Sequence, residues 1–151
     1  MRKLSSFLGA NDAPQWTPTS VTHLQNLTNM VTKIHGKNRE NPFKAMYTLD
    51  INSSQAYNGN FLREKSPALT RARAGRSGFY LSAYKRMMST SEMMRLQGFP
   101  LTVRRHTMTP RQFDMCLGNA MTMPMLARLA RTVMGAAGII DMDHVADPVA
   151  H

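Results

Sequence analysis

Val21, Leu24, Leu27, Val31 and Ile34 recur at the spacing of one helix face. Thr19 or Ser20 stands where an N-cap belongs and Gly36 where a helix would stop, so the pattern predicts a helix over residues 20–35. The stretch before it, 10–19, has two prolines and no apolar period and reads as a loop. Residues 35–44 are polar and basic. Tyr47, Leu49 and Ile51 then alternate with polar neighbours, which predicts a short strand over 46–51. Residues 52–78 are rich in turn formers, with Asn58-Gly59 and glycines at 75 and 78, and Phe79-Tyr80-Leu81 predicts a second strand. Ser89-Thr90-Ser91-Glu92 has the form of a capping box, and a short helix is expected from there towards Gln97, ended by Gly98 and Pro100. A basic loop follows. Pro124 stands where the first position of a last helix is expected. Its Leu126, Leu129, Ala130, Val133 and Ala137 share a face, Arg128 and Arg131 lie off it, and Gly138 can end it.

Charge changes this picture more than length does. The 151 residues make one ordinary domain or two very small ones, with a net charge of +10 and 42% apolar residues. Residues 61–112 alone hold eleven basic side chains against two acidic ones, and nine of the eleven are arginine. Arginine suits forked contacts to phosphate, so a polyanion is the natural partner and nucleic acid the commonest one. A solvated basic face is the plainer reading of the same charge. No run approaches the ~20 apolar residues that cross a bilayer, and no secretory signal is read. An intracellular protein is expected, in the nucleus if the source is eukaryotic. The single cysteine, Cys116, excludes an internal disulfide framework and a multi-cysteine zinc site, and no metal site is expected. Fourteen methionines serve either as a core filled with a flexible residue or as an adaptable surface.

Two segments carry more specific information. One is Arg86-Met87-Met88-Ser89-Thr90-Ser91-Glu92-Met93-Met94-Arg95-Leu96-Gln97-Gly98-Phe99-Pro100. The other is Leu117-Gly118-Asn119-Ala120-Met121, running into the last helix. In this order they resemble the ninth and tenth signature motifs of the DNA (cytosine-5)-methyltransferases. Ser66-Pro67-Ala68-Leu69-Thr70 resembles the stretch where that family's chain returns from target recognition. The resemblance covers about residues 66–137, with departures at Cys116, Met121 and Leu101. It implies a mixed α/β chain, the C-terminal fragment of a Rossmann-like methyltransferase fold with a small irregular recognition region. Residues 1–65 would be part of target recognition, 66–138 the methyltransferase segment and 139–151 a tail. Gly118, Asn119 and Ala120 would close over the methionine end of S-adenosylmethionine. Arg86, Glu92, Arg95, Gly98, Phe99 and Pro100 would be structural. Arg71, Arg73, Arg76, Arg104 and Arg105 would contact DNA phosphates, which position a duplex without reading it.

The resemblance also defines what the sequence lacks. In that family a cysteine of a Pro-Cys motif attacks a flipped-out cytosine, a Glu-Asn-Val glutamate assists, and the cofactor lies on a Phe-x-Gly-x-Gly turn. Here Met115 precedes Cys116, which reads as a small buried side chain and not as a nucleophile. Glu40-Asn41-Pro42 lies only 46 residues before Arg86 and is read as coincidence. Arg71-Ala72-Arg73 echoes the family's arginine pair without its leading Gln. Phe7-Leu8-Gly9-Ala10-Asn11 ends in Asn where glycine is needed. No catalytic residue is therefore assigned, and cofactor binding is expected only together with a separate or missing N-terminal catalytic half. The exposed last helix would then seek a partner. A non-enzymatic basic nucleic-acid-binding protein and an inactive gene remnant are the alternatives.

Overall fold

Ser20 has the extended backbone of an N-cap (φ −72°, ψ 133°), and helix α1 (Val21–Asn38) follows it in the computed structural model. That structure describes residues 3–9, 18, 20–53, 60–76 and 78–141. The turn expected at Asn58-Gly59 lies outside the described residues, as does most of the loop at 10–19 and the tail beyond 141. Gly36 does not stop α1. An interior glycine weakens a helix by only about 1 kcal/mol, and the chain continues to Asn38 before Arg39 turns left-handed at φ 51°. The buried stripe also lies to one side of the one expected. Met30, Ile34 and the polar Asn26 point inward, while Val21 and Leu24 are exposed. Asn26 is accepted there because its amide donates to the carbonyls of Ile51 (2.9 Å) and Ser53 (2.8 Å).

Four short strands form one antiparallel sheet: β1 (Tyr47–Leu49), β2 (Phe61–Arg63), β3 (Tyr80–Leu81) and β4 (Arg86–Met87), in the order β2-β1-β3-β4. The strand expected at 46–51 is shorter, since Asp50 begins a turn, and β2 and β4 were not anticipated. β1 is buried on both faces, so its alternation carries no polar side. Thr48 is tolerated because its hydroxyl donates to the Lys65 carbonyl at 2.6 Å. β1 pairs with β3, so the sheet spans both sides of residue 65. Residues 1–65, expected as a small irregular region, thus supply two of the sheet's strands. The structure is a mixed α/β chain in which every strand pairing among the described residues is antiparallel.

The two faces of this sheet carry two cores. Met30, Ile34, Tyr47, Leu49, Ile51, Tyr80 and Met87 pack α1 against one face. Leu81, Phe79 and Met88 turn to the other face. There they meet Leu4 of a short 3-10 turn, together with α3 (Thr90–Gln97) and α4 (Pro110–Asn119). The methionines divide between both readings. Met30, Met46, Met87, Met88, Met93 and Met94 fill these cores, whereas Met108, Met121, Met123, Met125 and Met134 are exposed.

Helix α4 replaces part of what read as a basic loop. Its signal was present as a second capping box: Thr109 and Gln112 exchange side-chain and backbone bonds (2.9 and 3.3 Å) around Pro110 in the first turn. A one-turn helix, α2 (Arg71–Ala74), packs against α4, and α5 (Met123–Ala136) closes the described chain. Gly36 sits in the last turn of α1 with nothing within 4 Å of a Cβ. Gly36→Ala should therefore stabilise the fold by about 0.5–1 kcal/mol, read as a higher urea midpoint at unchanged slope.

Candidate functional site: the joint between two motifs

The capping box at Ser89 does more than start α3. Glu92 is fully buried, and Arg86 on β4 is nearly so. The guanidinium grips both carboxylate oxygens, Nη1 on Oε2 at 2.8 Å and Nη2 on Oε1 at 2.7 Å. Oε2 also accepts the Ser89 N–H at 2.8 Å, completing the box, and Oε1 accepts the Gly9 N–H at 3.3 Å. Each carboxylate oxygen thus takes two donors. Arg86 donates onward to the carbonyls of Met87 (3.0 Å) and Gly9 (2.9 Å), and its head lies 5.0 Å from the Tyr84 ring centroid. One ion pair therefore joins the N-terminal segment, β4 and α3.

Three further contacts carry this joint to the second motif. Thr90 Oγ1 donates to Asp114 on α4 at 2.7 Å. Burial pushes the Asp114 carboxyl above its usual range, while the Thr90 bond and the Arg105 charge pull the other way. Gln97 donates to the Leu117 carbonyl at 3.2 Å. Gly98 ends α3 at φ 74°, and a Cβ there would fall 2.6 Å from Pro124 Cδ, so this glycine meets two demands at once. Phe99 is half-buried against the core, Arg95 is half-buried on α3, and Pro100 is exposed.

The Gly-Asn-Ala segment is not a single loop. Gly118 and Asn119 form the last turn of α4, and Ala120 is its C-cap. A Cβ at Gly118 would strike the Thr70 carbonyl oxygen and lie 2.7 Å from the Arg71 amide nitrogen. This glycine therefore lets α4 touch the chain at the entry to α2. Asn119 is exposed and borders a groove of about 410 Å³ with Arg71, Thr107, Gln112 and Cys116. Ala120 borders a different groove of about 410 Å³, with Leu69, Gln97 and Thr122. By themselves the described residues do not enclose S-adenosylmethionine: the space beside Gly118 is filled by Thr70, and its two neighbours face separate grooves. No methyl-transfer step is derived from them.

The arginines also separate. Arg71 and Arg76 are exposed on and beside α2, and Arg104 and Arg105 lie in the exposed stretch 101–109. Arg73 is turned inward, bound to Asp50 Oδ2 at 2.9 Å and to the Asn52 carbonyl at 3.0 Å. Cys116 is exposed and not buried, because the inward positions of α4 are Phe113, Asp114 and Leu117. Glu40 has a structural partner set, accepting from the Tyr47 hydroxyl (2.8 Å) and Arg63 (2.9 Å). Among the described residues no three His, Cys, Asp or Glu side chains gather as a metal site, and no helix is long and apolar enough to cross a membrane.

On helix α5 the expected apolar face is present and bare. Leu126, Leu129 and Val133 are 43%, 49% and 58% exposed, and α5 has no buried residue.

With two capped helices joined in this order, comparison with known families is specific. The family described as C-5 cytosine-specific DNA methylase matches residues 8–135, most of the chain, and the chain belongs to that family. It is a DNA cytosine methyltransferase-related protein, from a family that acts on DNA and normally uses S-adenosylmethionine. The match begins at residue 8, well before the 66–137 traced from the motifs. No curated protein and no solved structure matches the chain.

Two outcomes follow from the joint. Glu92→Gln leaves Arg86 buried beside a neutral partner that cannot accept at four points. Urea unfolding should show a loss of about 3–5 kcal/mol, as for a broken buried pair, and a loss below 1 kcal/mol would mean that the pair is dispensable. Asp114 behaves in the opposite sense. Its folded pKa is raised, so the fold carries a penalty for the charged form at neutral pH. That penalty fades as pH falls from the raised value to the ordinary carboxylate range. Asp114→Asn keeps the acceptor for Thr90, so it should be more stable than wild type at pH 7, with the gap closing on acidification.

Proposed function

We propose that this chain is the C-terminal part of a DNA (cytosine-5)-methyltransferase, holding a remnant of target recognition together with the ninth and tenth motifs. It contributes DNA binding and one edge of the S-adenosylmethionine pocket, and it does not transfer methyl groups alone. The observation that carries this reading is the bare apolar face of α5 directly after Gly118-Asn119-Ala120. A contiguous stripe of leucine, valine and methionine of this kind marks a surface that another element covers. The proposed cover is the catalytic sheet of an N-terminal half, on this or on another chain. That half would bring the nucleophile and the glycine-rich cofactor turn. Asn119 and Ala120 would then be completed from the other side as the cofactor's edge, with Gly118 fixing the turn that bears them.

Arg71, Arg76, Arg104 and Arg105 supply the electrostatic share of DNA binding in this reading. All four are exposed, and the whole of 101–112 lies on the surface. Such contacts give affinity that falls with salt and carries no base preference.

The test is reconstitution. The chain is mixed with a catalytic segment carrying Pro-Cys, Glu-Asn-Val and Phe-x-Gly-x-Gly, and labelled methyl transfer from S-adenosylmethionine to DNA is followed. The chain alone should be inactive and the mixture active. Leu129→Asp with Val133→Asp should abolish assembly while leaving the chain's own thermal unfolding unchanged, since α5 buries nothing in it. Activity of the chain alone, or assembly by the double variant, would contradict the reading.

A further inference from the structure

Helix α1 hides one face and leaves the opposite one bare. Asn26, Met30 and Ile34, four residues apart, point inward. On the other side Gln25, Thr28, Asn29, Thr32 and Gly36 follow one another at helical spacing, and all five are exposed. The outward face of a surface helix commonly carries charges, often paired four residues apart. These five positions carry none. Thr28, Asn29, Thr32 and Gly36 are also weak helix formers, so they lower the stability of the helix that bears them. Gly36 makes room for nothing inside the molecule, because no atom lies within 4 Å of a Cβ placed there. Neither packing nor helix propensity accounts for this stripe, and local rules broken without internal gain are the mark of a surface that meets another molecule.

Charge and chemistry say which molecule. No acidic residue occurs between Asp12 and Glu40. Lys33, His35, Lys37 and the C-cap residue Arg39 are exposed towards the C-terminal end of α1. A polyanion thus meets no repulsion along the helix and positive charge at one end of it. The stripe has no aromatic, leucine or arginine side chain of the kind that anchors a protein partner. Its carboxamides and hydroxyls are instead the groups that read base edges: Asn and Gln pair with N6 and N7 of adenine, and Thr meets the thymine methyl. Thr32 Oγ1 donates to the Thr28 carbonyl at 3.0 Å, so Thr32 offers an acceptor and a methyl group. At 18 residues α1 is about 27 Å long, and the major groove of B-DNA, ~12 Å wide, admits a helix.

We infer that α1 is the element of this chain that reads DNA, with its outward stripe laid in the major groove. Asn29 and Gln25 meet base edges, Thr32 packs beside them, and Gly36 lets the last turn approach the duplex where a side chain would hold it off. Lys37 and Arg39 lie on the flanking phosphates. The inference rests on the proposed recognition role of the region before residue 65. It goes further by naming the helix and the groove, and by assigning selectivity to uncharged residues apart from the exposed arginines that supply affinity.

The experiment uses the full chain as wild type, Asn29→Ala and Gly36→Ala. Both variants replace an exposed residue by a better helix former, so a loss of binding cannot be laid to a loss of fold. Sequences are selected from a randomised DNA duplex pool, and affinities for the selected and for random-sequence duplexes are measured against NaCl concentration. The wild type should enrich a short sequence containing adenine. Asn29→Ala should keep the random-sequence affinity and salt slope but lose preference at one base pair, with enrichment about tenfold lower. Gly36→Ala should unfold at higher urea and yet bind the selected duplex about tenfold more weakly. Enrichment by Asn29→Ala equal to wild type, or undiminished binding by Gly36→Ala, would overturn the inference. So would equal affinity for an RNA duplex of the selected sequence, whose deep and narrow major groove excludes a helix. Wild-type binding without any enrichment would remove the inference but leave the DNA-binding proposal. No wild-type binding at all would remove both.

Discussion

The carboxylate of Glu92 organises this molecule. It is fully buried, yet both oxygens are saturated by Arg86, the Ser89 amide and the Gly9 amide. A lone buried charge would cost several kcal/mol, and only a full set of donors makes it tolerable. Because those donors come from three separate segments, the ion pair specifies how they meet. β4 is two residues long and α3 only eight, too little for either to be stable by itself. The pair fixes both, and the contacts from α3 to Asp114, Leu117 and Pro124 pass that order to α4 and the start of α5.

The second constraint is close backbone approach. Gly118 on α4 and Gly75 after α2 both lie where a Cβ would collide, with Thr70 and Met115 respectively. The small helix α2 consequently lies flat on α4, which brings Arg71 and Asn119 onto one groove. Residues placed apart by motif reading, one for DNA and one for cofactor, are neighbours in space. In the proposed reading, a catalytic half added from outside would bring DNA and cofactor together at this groove.

Much of this was legible in the sequence where local chemistry dominates. The Ser89 to Glu92 box and the Gly98 stop are encoded within four or five residues and stand where expected, and α5 starts at Met123, one residue before the expected Pro124. The apolar stripe of α5 was legible too, because its positions follow helical period; among the described residues nothing buries it. What failed depended on distant partners. The inward face of α1 is set by Asn26, whose burial makes sense only once the 51 and 53 carbonyls are beside it. Arg73 differs from Arg71 and Arg76 only through Asp50, which is distant in sequence and adjacent in space. Helix α4 is encoded just as locally, since Thr109-Pro110-Arg111-Gln112 carries the same cap logic as Ser89 to Glu92. The strands β2 and β4 are too short for any alternation to register.

Native-state hydrogen exchange at two amides tests the organising role of Glu92 most directly. The Ser89 and Gly9 N–H groups both end on its carboxylate, although Gly9 belongs to a segment with no regular ladder of its own. If the ion pair locks the N-terminal segment to the first motif, Gly9 exchanges only through global opening, with protection matching Ser89 and the core amides of β1. Exchange of Gly9 at the rate of an open chain, while Ser89 stays protected, would show that the pair merely caps α3 and that the joint described here does not exist.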